Sequence, residues 1–195
     1  MSLILKPAPD FTVAALMPDG GFKDISLSDY KGKKYVLLFF YPLDFTFVCP
    51  TEIIAFSKAA ADFDKLNVQI LGCSVDSQYT HLAWVQTDRK EGGIGEIEYP
   101  LLADVRRELI TAYGVGCDAG HAVRGTFLIN KEGIVMHETI NAPPIGRNVE
   151  EELRCVKALQ FFEKNGEVCP ANWHEGDGGI KPDPVKSQEF FKKSN

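Results

Sequence analysis

Tyr35 to Tyr41 reads Tyr-Val-Leu-Leu-Phe-Phe-Tyr, an unbroken apolar and aromatic run that ends at Pro42. No polar position interrupts it, so it predicts a strand buried on both faces, and it is far too short to span a bilayer. Downstream, Ile53, Ile54, Phe56, Ala60, Phe63 and Leu66 recur near helical spacing and predict a helix from about Val48 to Leu66. Pro50 fits such a helix only within its first turn. Cys49 therefore falls where a buried strand gives way to a helix N-terminus. Unpaired N–H groups and the macrodipole there favour an anion, and thiolate is the reactive form of cysteine. The plainer reading of Cys49 is a small buried hydrophobe.

The remaining pattern is alternating. Phe11–Leu16 and Phe22–Leu27 read as strands around the turn Pro18-Asp19-Gly20-Gly21, and Val68–Val75 as a second buried strand. Tyr79–Asp88 reads as a helix, Glu91–Glu98 as a Gly-rich loop and Asp104–Tyr113 as a short helix. Arg124–Ile129 and Ile134–Ile140 form strands joined by Asn130-Lys131-Glu132-Gly133. Asn148 with Glu151 resembles a helix N-cap and its third-position partner, opening a helix with Val149, Leu153, Val156 and Leu159 on one stripe. This order predicts a layered α/β domain with a mixed central sheet flanked by helices. After Lys164 the character changes: Gly176, Gly178, Gly179, Pro182 and Pro184 mark an extended arm. The expected division is a domain over 1–164 and a C-terminal arm over 165–195.

Composition narrows the function. A formal charge of −6 without any Lys/Arg block argues against nucleic-acid binding, and 45% hydrophobic residues argue against disorder. Met1–Asp10 has neither a basic n-region nor a long apolar run, so the expected location is cytoplasmic, with no membrane partner. Cys49, Cys73, Cys117, Cys155 and Cys169 are odd in number and contain no C-x-x-C. His81, His121, His137 and His174 are scattered. That spacing suits neither a disulfide framework nor a metal site, and leaves free thiols or redox catalysts.

Pro42, Thr46 and Cys49 form Pro-x-x-x-Thr-x-x-Cys, which resembles the active-site signature of the peroxiredoxins. Gly166-Glu167-Val168-Cys169-Pro170-Ala171-Asn172-Trp173 resembles the resolving-cysteine motif of their typical 2-Cys subgroup. Gly72–Ser77 running into His81-Leu82-Ala83-Trp84, then Gly92–Gly95, then Val123-Arg124-Gly125-Thr126-Phe127 follow the family's order. The resemblance implies a thioredoxin-like fold and a thiol peroxidase that reduces hydrogen peroxide and organic hydroperoxides. It implies no cofactor, a thioredoxin-like dithiol reductant, and a head-to-tail homodimer that assembles further into a decamer. An oligomeric holdase or redox-signalling scaffold is the alternative. A Cys-His hydrolase fits poorly, because no histidine motif supplies a base for Cys49.

The chemistry needs a thiolate, donors that hold the O–O bond, and a way to recycle a sulfenic acid. Cys49 is the nucleophile and Cys169 the candidate resolver, paired between subunits in the family. The Thr46 hydroxyl can lie near the sulfur or cap the helix, and Pro42 shapes the pocket or simply ends the strand. Arg124 takes the role of the cation that holds thiolate and peroxide; without the family it reads as a surface charge at a strand start. Glu52 and Arg147 resemble its supporting positions, although Glu52 alone would suit any helix N-terminus. Cys73 and Cys155 read as packed thiols. Phe190-Phe191 stands where the eukaryotic-type subgroup carries Tyr-Phe, so a ring remains and a hydroxyl is lost. Ala119–Val123 departs from the more acidic stretch common before this Arg.

Overall fold

The computed structural model describes residues 2–194; Met1 and Asn195, the outer ends of the two expected segments, lie outside the described residues. The chain divides into two compact units, Met1–Val149 and Glu150–Asn195. The first unit carries a mixed sheet of seven strands, in the order β2-β1-β5-β4-β3-β6-β7. These are β1 (Thr12–Leu16), β2 (Phe22–Ser26), β3 (Tyr35–Phe40), β4 (Val68–Ser74), β5 (Leu101–Ala103), β6 (Arg124–Ile129) and β7 (Val135–Asn141).

Every residue of β3 is buried, as an apolar run with no polar face demands. It pairs in parallel with β4 and antiparallel with β6, so the strand nearest Cys49 is an interior one. Its alternating side chains serve two layers. Phe39 stacks on Phe56 of α1 (Cys49–Lys65) with ring centroids 4.5 Å apart. Phe40, on the other face, meets Tyr113 and Phe127 at 5.2 and 5.9 Å within the main core cluster. Ile53, Phe56 and Phe63 form the fully buried stripe of α1. The helix ends at Leu66, followed by Asn67 at φ 57°, a left-handed position that asparagine tolerates better than most. Burying one such aromatic ring contributes about 1.5–3 kcal/mol, so the Phe39–Phe56 contact fixes how α1 seats on the sheet.

Two elements of the first unit differ most from the sequence expectation. β5 is a strand of Leu-Leu-Ala directly after Pro100, too short to show any periodicity. The helix expected over Asp104–Tyr113 is only α3 (Glu108–Ala112), because Arg107 adopts φ 61° and breaks it. Asp104 instead accepts the backbone N–H groups of Leu109 (3.1 Å) and Ile110 (2.9 Å), which satisfies the shortened helix from outside. α2 (Gln78–Gln86) is capped by Ser77, whose hydroxyl accepts from the Thr80 N–H. In the loop that follows, a side chain at Gly93 would lie 1.9 Å from the Thr87 carbonyl oxygen, so only glycine fits.

The second unit contains α4 (Val149–Asn165), all but its first residue, and α5 (Gln188–Ser194). The segment between them is ordered locally rather than merely extended: Val168 and Ile180 form a backbone bridge, and the Trp173 ring lies 5.0 Å from that of Phe161. Lys157 reaches Glu175 at 2.7 Å. α5 went unforeseen because Gly and Pro dominate the sequence before it. No helix among the described residues is long and apolar enough to cross a membrane.

Candidate active site

The chain leaves β3 at Phe40, and Pro42, buried and without an N–H, ends the strand. Seven residues later α1 starts at Cys49, with Pro50 in its first turn and Val48 as a cap residue that offers no side-chain bond. Cys49 is fully buried. The Thr46 hydroxyl does not cap the helix; it donates to the Leu43 carbonyl at 2.9 Å, which leaves its oxygen lone pairs as acceptors. Phe45 between them adopts φ 54°, a left-handed conformation that is an outlier for a bulky residue.

Arg124 is no surface charge. Its side chain is 4% exposed. Its Nη1 donates to Cys49 Sγ at 3.4 Å and to Glu52 Oε2 at 2.6 Å, while its Nε donates to the Pro143 carbonyl at 2.6 Å. Glu52, one helical turn after Cys49, is shared by two arginines. Arg147 gives it a backbone N–H at Oε1 and Nη1 at Oε2, each at 2.9 Å. The rest of the Arg147 guanidinium donates to Thr126 Oγ1 at 2.8 Å, the Gly125 carbonyl at 3.0 Å and the Phe40 carbonyl, above the Phe39 ring. Such planar, many-bonded anchoring suits guanidinium and no other cationic side chain. With Glu52 ionised, the cluster holds two cations against one anion, and a thiolate at Cys49 brings the count to neutrality.

A second buried cluster holds the loop before Cys49, and sequence reading missed it. The Tyr41 hydroxyl donates to Asp44 Oδ1 at 2.8 Å, and Asp44 Oδ2 lies 2.7 Å from His81 Nδ1 on α2. His81 Nε2 lies 3.1 Å from the Leu102 carbonyl of β5, so Nε2 carries a proton. The Asp44 backbone N–H donates to Asp76 Oδ2 at 2.9 Å, and Ser74 Oγ steadies the same oxygen at 2.8 Å. Burial pushes the Asp44 carboxyl above the ordinary range, against the pull of His81. Asp44 and His81 are 37 residues apart, so no spacing signal links them.

The other thiols have different surroundings. Cys73 is fully buried in β4, and burial pushes it well up, with the Asp104 charge adding to the effect. Cys155 on α4 lies 3.4 Å from Glu151 Oε1 and is pushed up to about 12 by burial and that carboxylate. Cys169 donates to the Ala158 carbonyl at 3.6 Å; burial raises it and the Arg154 charge opposes the rise. Cys117 is partly buried with its sulfur 3.5 Å from His121 Nδ1. Among the described residues no group of three or more His, Cys, Asp or Glu side chains is placed to hold a metal.

A thioredoxin-like α/β sheet with a cysteine opening the helix after its central strand, held by a buried arginine, defines a thiol-based oxidoreductase. Comparison with known proteins agrees and narrows it. Residues 4–138 match the AhpC/TSA family, and residues 158–193 match the C-terminal domain of 1-Cys peroxiredoxin. Peroxiredoxin-1 of Gallus gallus is 57% identical over 98% of this chain and 96% of its own length. Peroxiredoxin-2 of Cricetulus griseus is 59% identical over 97% and 96%. The reduced 2-Cys peroxiredoxin of Plasmodium vivax superposes with a TM-score of 0.97 at 46% identity, over 98% of this chain and all of that one. The chain belongs to the peroxiredoxin family, in its typical 2-Cys branch. Its activity is that of a thiol peroxidase.

Proposed function

We propose that Cys49 is the peroxidatic nucleophile and that Arg124 holds both its sulfur and the peroxide. The observation that carries this is a single nitrogen, Arg124 Nη1, bonded at once to Cys49 Sγ and Glu52. Nη2 has no protein partner among the described residues and remains available for a peroxide oxygen. The thiolate attacks one peroxide oxygen, the O–O bond breaks, and the departing alkoxide or hydroxide takes up a proton. Thr46, whose donor is committed to Leu43, accepts from the peroxide O–H, and Pro42 shields the sulfur from one side. Glu52 and Arg147 position Arg124 rather than touch substrate.

Cys49 sulfenic acid then condenses with the Cys169 thiol, losing water to form a disulfide, and an external thioredoxin-like dithiol reduces it. In this reading the disulfide joins two subunits of a homodimer. The dimers assemble into a decamer in the cytoplasm, residues 1–164 act as the peroxidase domain and 165–195 as the resolving arm. Exposed rings at Phe22, Phe47 and Tyr79 support association, since such apolar surface is normally covered. Hydrogen peroxide and small organic hydroperoxides are the substrates.

Arg124→Lys tests the reading with two rates on the same protein. Lysine keeps the charge and loses the planar fork, so peroxide consumption should fall well over tenfold, roughly 1.4 kcal/mol or more of transition-state stabilisation. Alkylation of Cys49 by iodoacetamide needs only a thiolate and should fall much less. Equal losses in both assays would reduce Arg124 to holding charge, and wild-type protein that alkylates but ignores peroxide would overturn the peroxidase reading itself.

A further inference from the structure

We propose that Asp44 and His81 are positioning residues that latch the loop Pro42–Val48 closed over a strained turn at Phe45, and so set how readily Cys49 leaves its pocket for resolution. This deepens the reading above and rests on Cys49 as nucleophile and Cys169 as resolver.

Cys49 has no exposed surface, and a disulfide requires Cα atoms within about 7 Å, so the loop and the first turn of α1 must open before any second cysteine reaches it. Three anchors hold Asp44, within that loop: Tyr41 and His81 on its carboxyl, and Asp76 on its backbone N–H. The very next residue is Phe45 at φ 54°. A bulky side chain persists in that region only where its surroundings over-determine it. Here Asp44 pins one end, and the Phe45 ring lies 5.7 Å from that of Trp84. Removing an anchor lets Phe45 relax toward an ordinary extended conformation, and the relaxation carries Thr46 and Cys49 out of register with Arg124.

The protons of the pair show how to separate hydrogen bonding from charge. His81 Nε2–H is committed to the Leu102 carbonyl, so one further proton serves both His81 Nδ1 and Asp44. Wherever it resides, the pair is neutral overall. An asparagine at position 44 reproduces a neutral arrangement: its amide oxygen accepts from Tyr41, and its N–H donates to a bare Nδ1. An alanine reproduces none of it.

The test uses full-length protein and three variants, Asp44→Ala, Asp44→Asn and Tyr41→Phe. Amide exchange of a peptide spanning residues 42–52 is read on the reduced protein without peroxide, and the ratio of Cys49 sulfinic acid to Cys49–Cys169 disulfide is read across a peroxide series. Asp44→Ala and Tyr41→Phe should speed exchange by at least about tenfold, because the local opening equilibrium shifts. The same two should raise the peroxide concentration that half-converts Cys49 to sulfinic acid by about threefold or more, while Asp44→Asn stays within about twofold of wild type in both readings. A merely structural defect would not be rescued by asparagine. Exchange and sulfinic acid curves that match wild type in Asp44→Ala and Tyr41→Phe overturn the latch, as does Asp44→Asn behaving like Asp44→Ala. If Asp44→Ala does not fold, Tyr41→Phe and Asp44→Asn decide on the same terms. Failure of the underlying reading has its own signature, the absence of a Cys49–Cys169 disulfide in wild type, and leaves the exchange result standing.

Discussion

Cys49→Ser should abolish peroxide turnover, to below about a thousandth of wild type, a barrier increase of roughly 4 kcal/mol. A hydroxyl stays protonated near neutral pH where a thiol can ionise, so the substitution removes the nucleophile and little volume. The fold should persist, since α1 is seated by Ile53, Phe56 and Phe63 and not by the sulfur. The variant should nevertheless melt below the reduced wild type by roughly 3–10 °C, the shift expected for about 1–3 kcal/mol in a chain of this size. Residual turnover above about a hundredth of wild type would place the nucleophile elsewhere. Coupled consumption of a peroxide and a dithiol reductant, with a thermal melt on the same preparation, gives both readings.

Cys169→Ser should divide the cycle rather than stop it. One equivalent of peroxide is still consumed per chain, because Cys49, Glu52, Arg124 and Arg147 all lie in the first unit and are untouched. The sulfenic acid then has no resolving partner, so reductant-supported turnover should fall at least about a hundredfold while a sulfenic-acid trap labels Cys49. On a nonreducing gel the oxidised wild type should run as a linked dimer and this variant as a monomer. A dimer band that survives Cys169→Ser and disappears in Cys117→Ser would transfer the resolving role to Cys117, whose sulfur lies beside His121.

What the sequence made legible follows from where information is local. The run Tyr35–Tyr41 and the stripe Ile53, Phe56, Phe63 announce β3 and α1, because burial on two faces or one leaves a pattern within a dozen residues. Cys49 is placed by those two elements alone. Arg124, Glu52 and Arg147 are different: nothing in their spacing joins residues 72 and 95 positions apart, and only the family resemblance nominated them together. The structure shows them touching. The Asp44–His81 pair had neither route: 37 positions separate the two, and the family motif that contains His81 gave it no role. β5 was too short to see, and Arg107 ended a helix by backbone conformation rather than by composition.

If Cys49 cycles as proposed, the shared carboxylate of Glu52 would make the pocket a register of the sulfur's oxidation state. Two guanidiniums and one carboxylate are buried together, with exposures of 4%, 1% and 3%, so solvent cannot absorb an imbalance cheaply. A thiolate completes a neutral set. With a neutral sulfenic acid at Cys49 that anion would be gone and one positive charge left unmatched in the interior, so the proposed intermediate would be the one the pocket holds least well. A sulfinate at Cys49 would restore the negative charge, so the overoxidised product would be held by the same electrostatics that hold a thiolate. The serine variant carries the sulfenic acid's charge without its oxygen, and its lowered melting point would measure that imbalance directly.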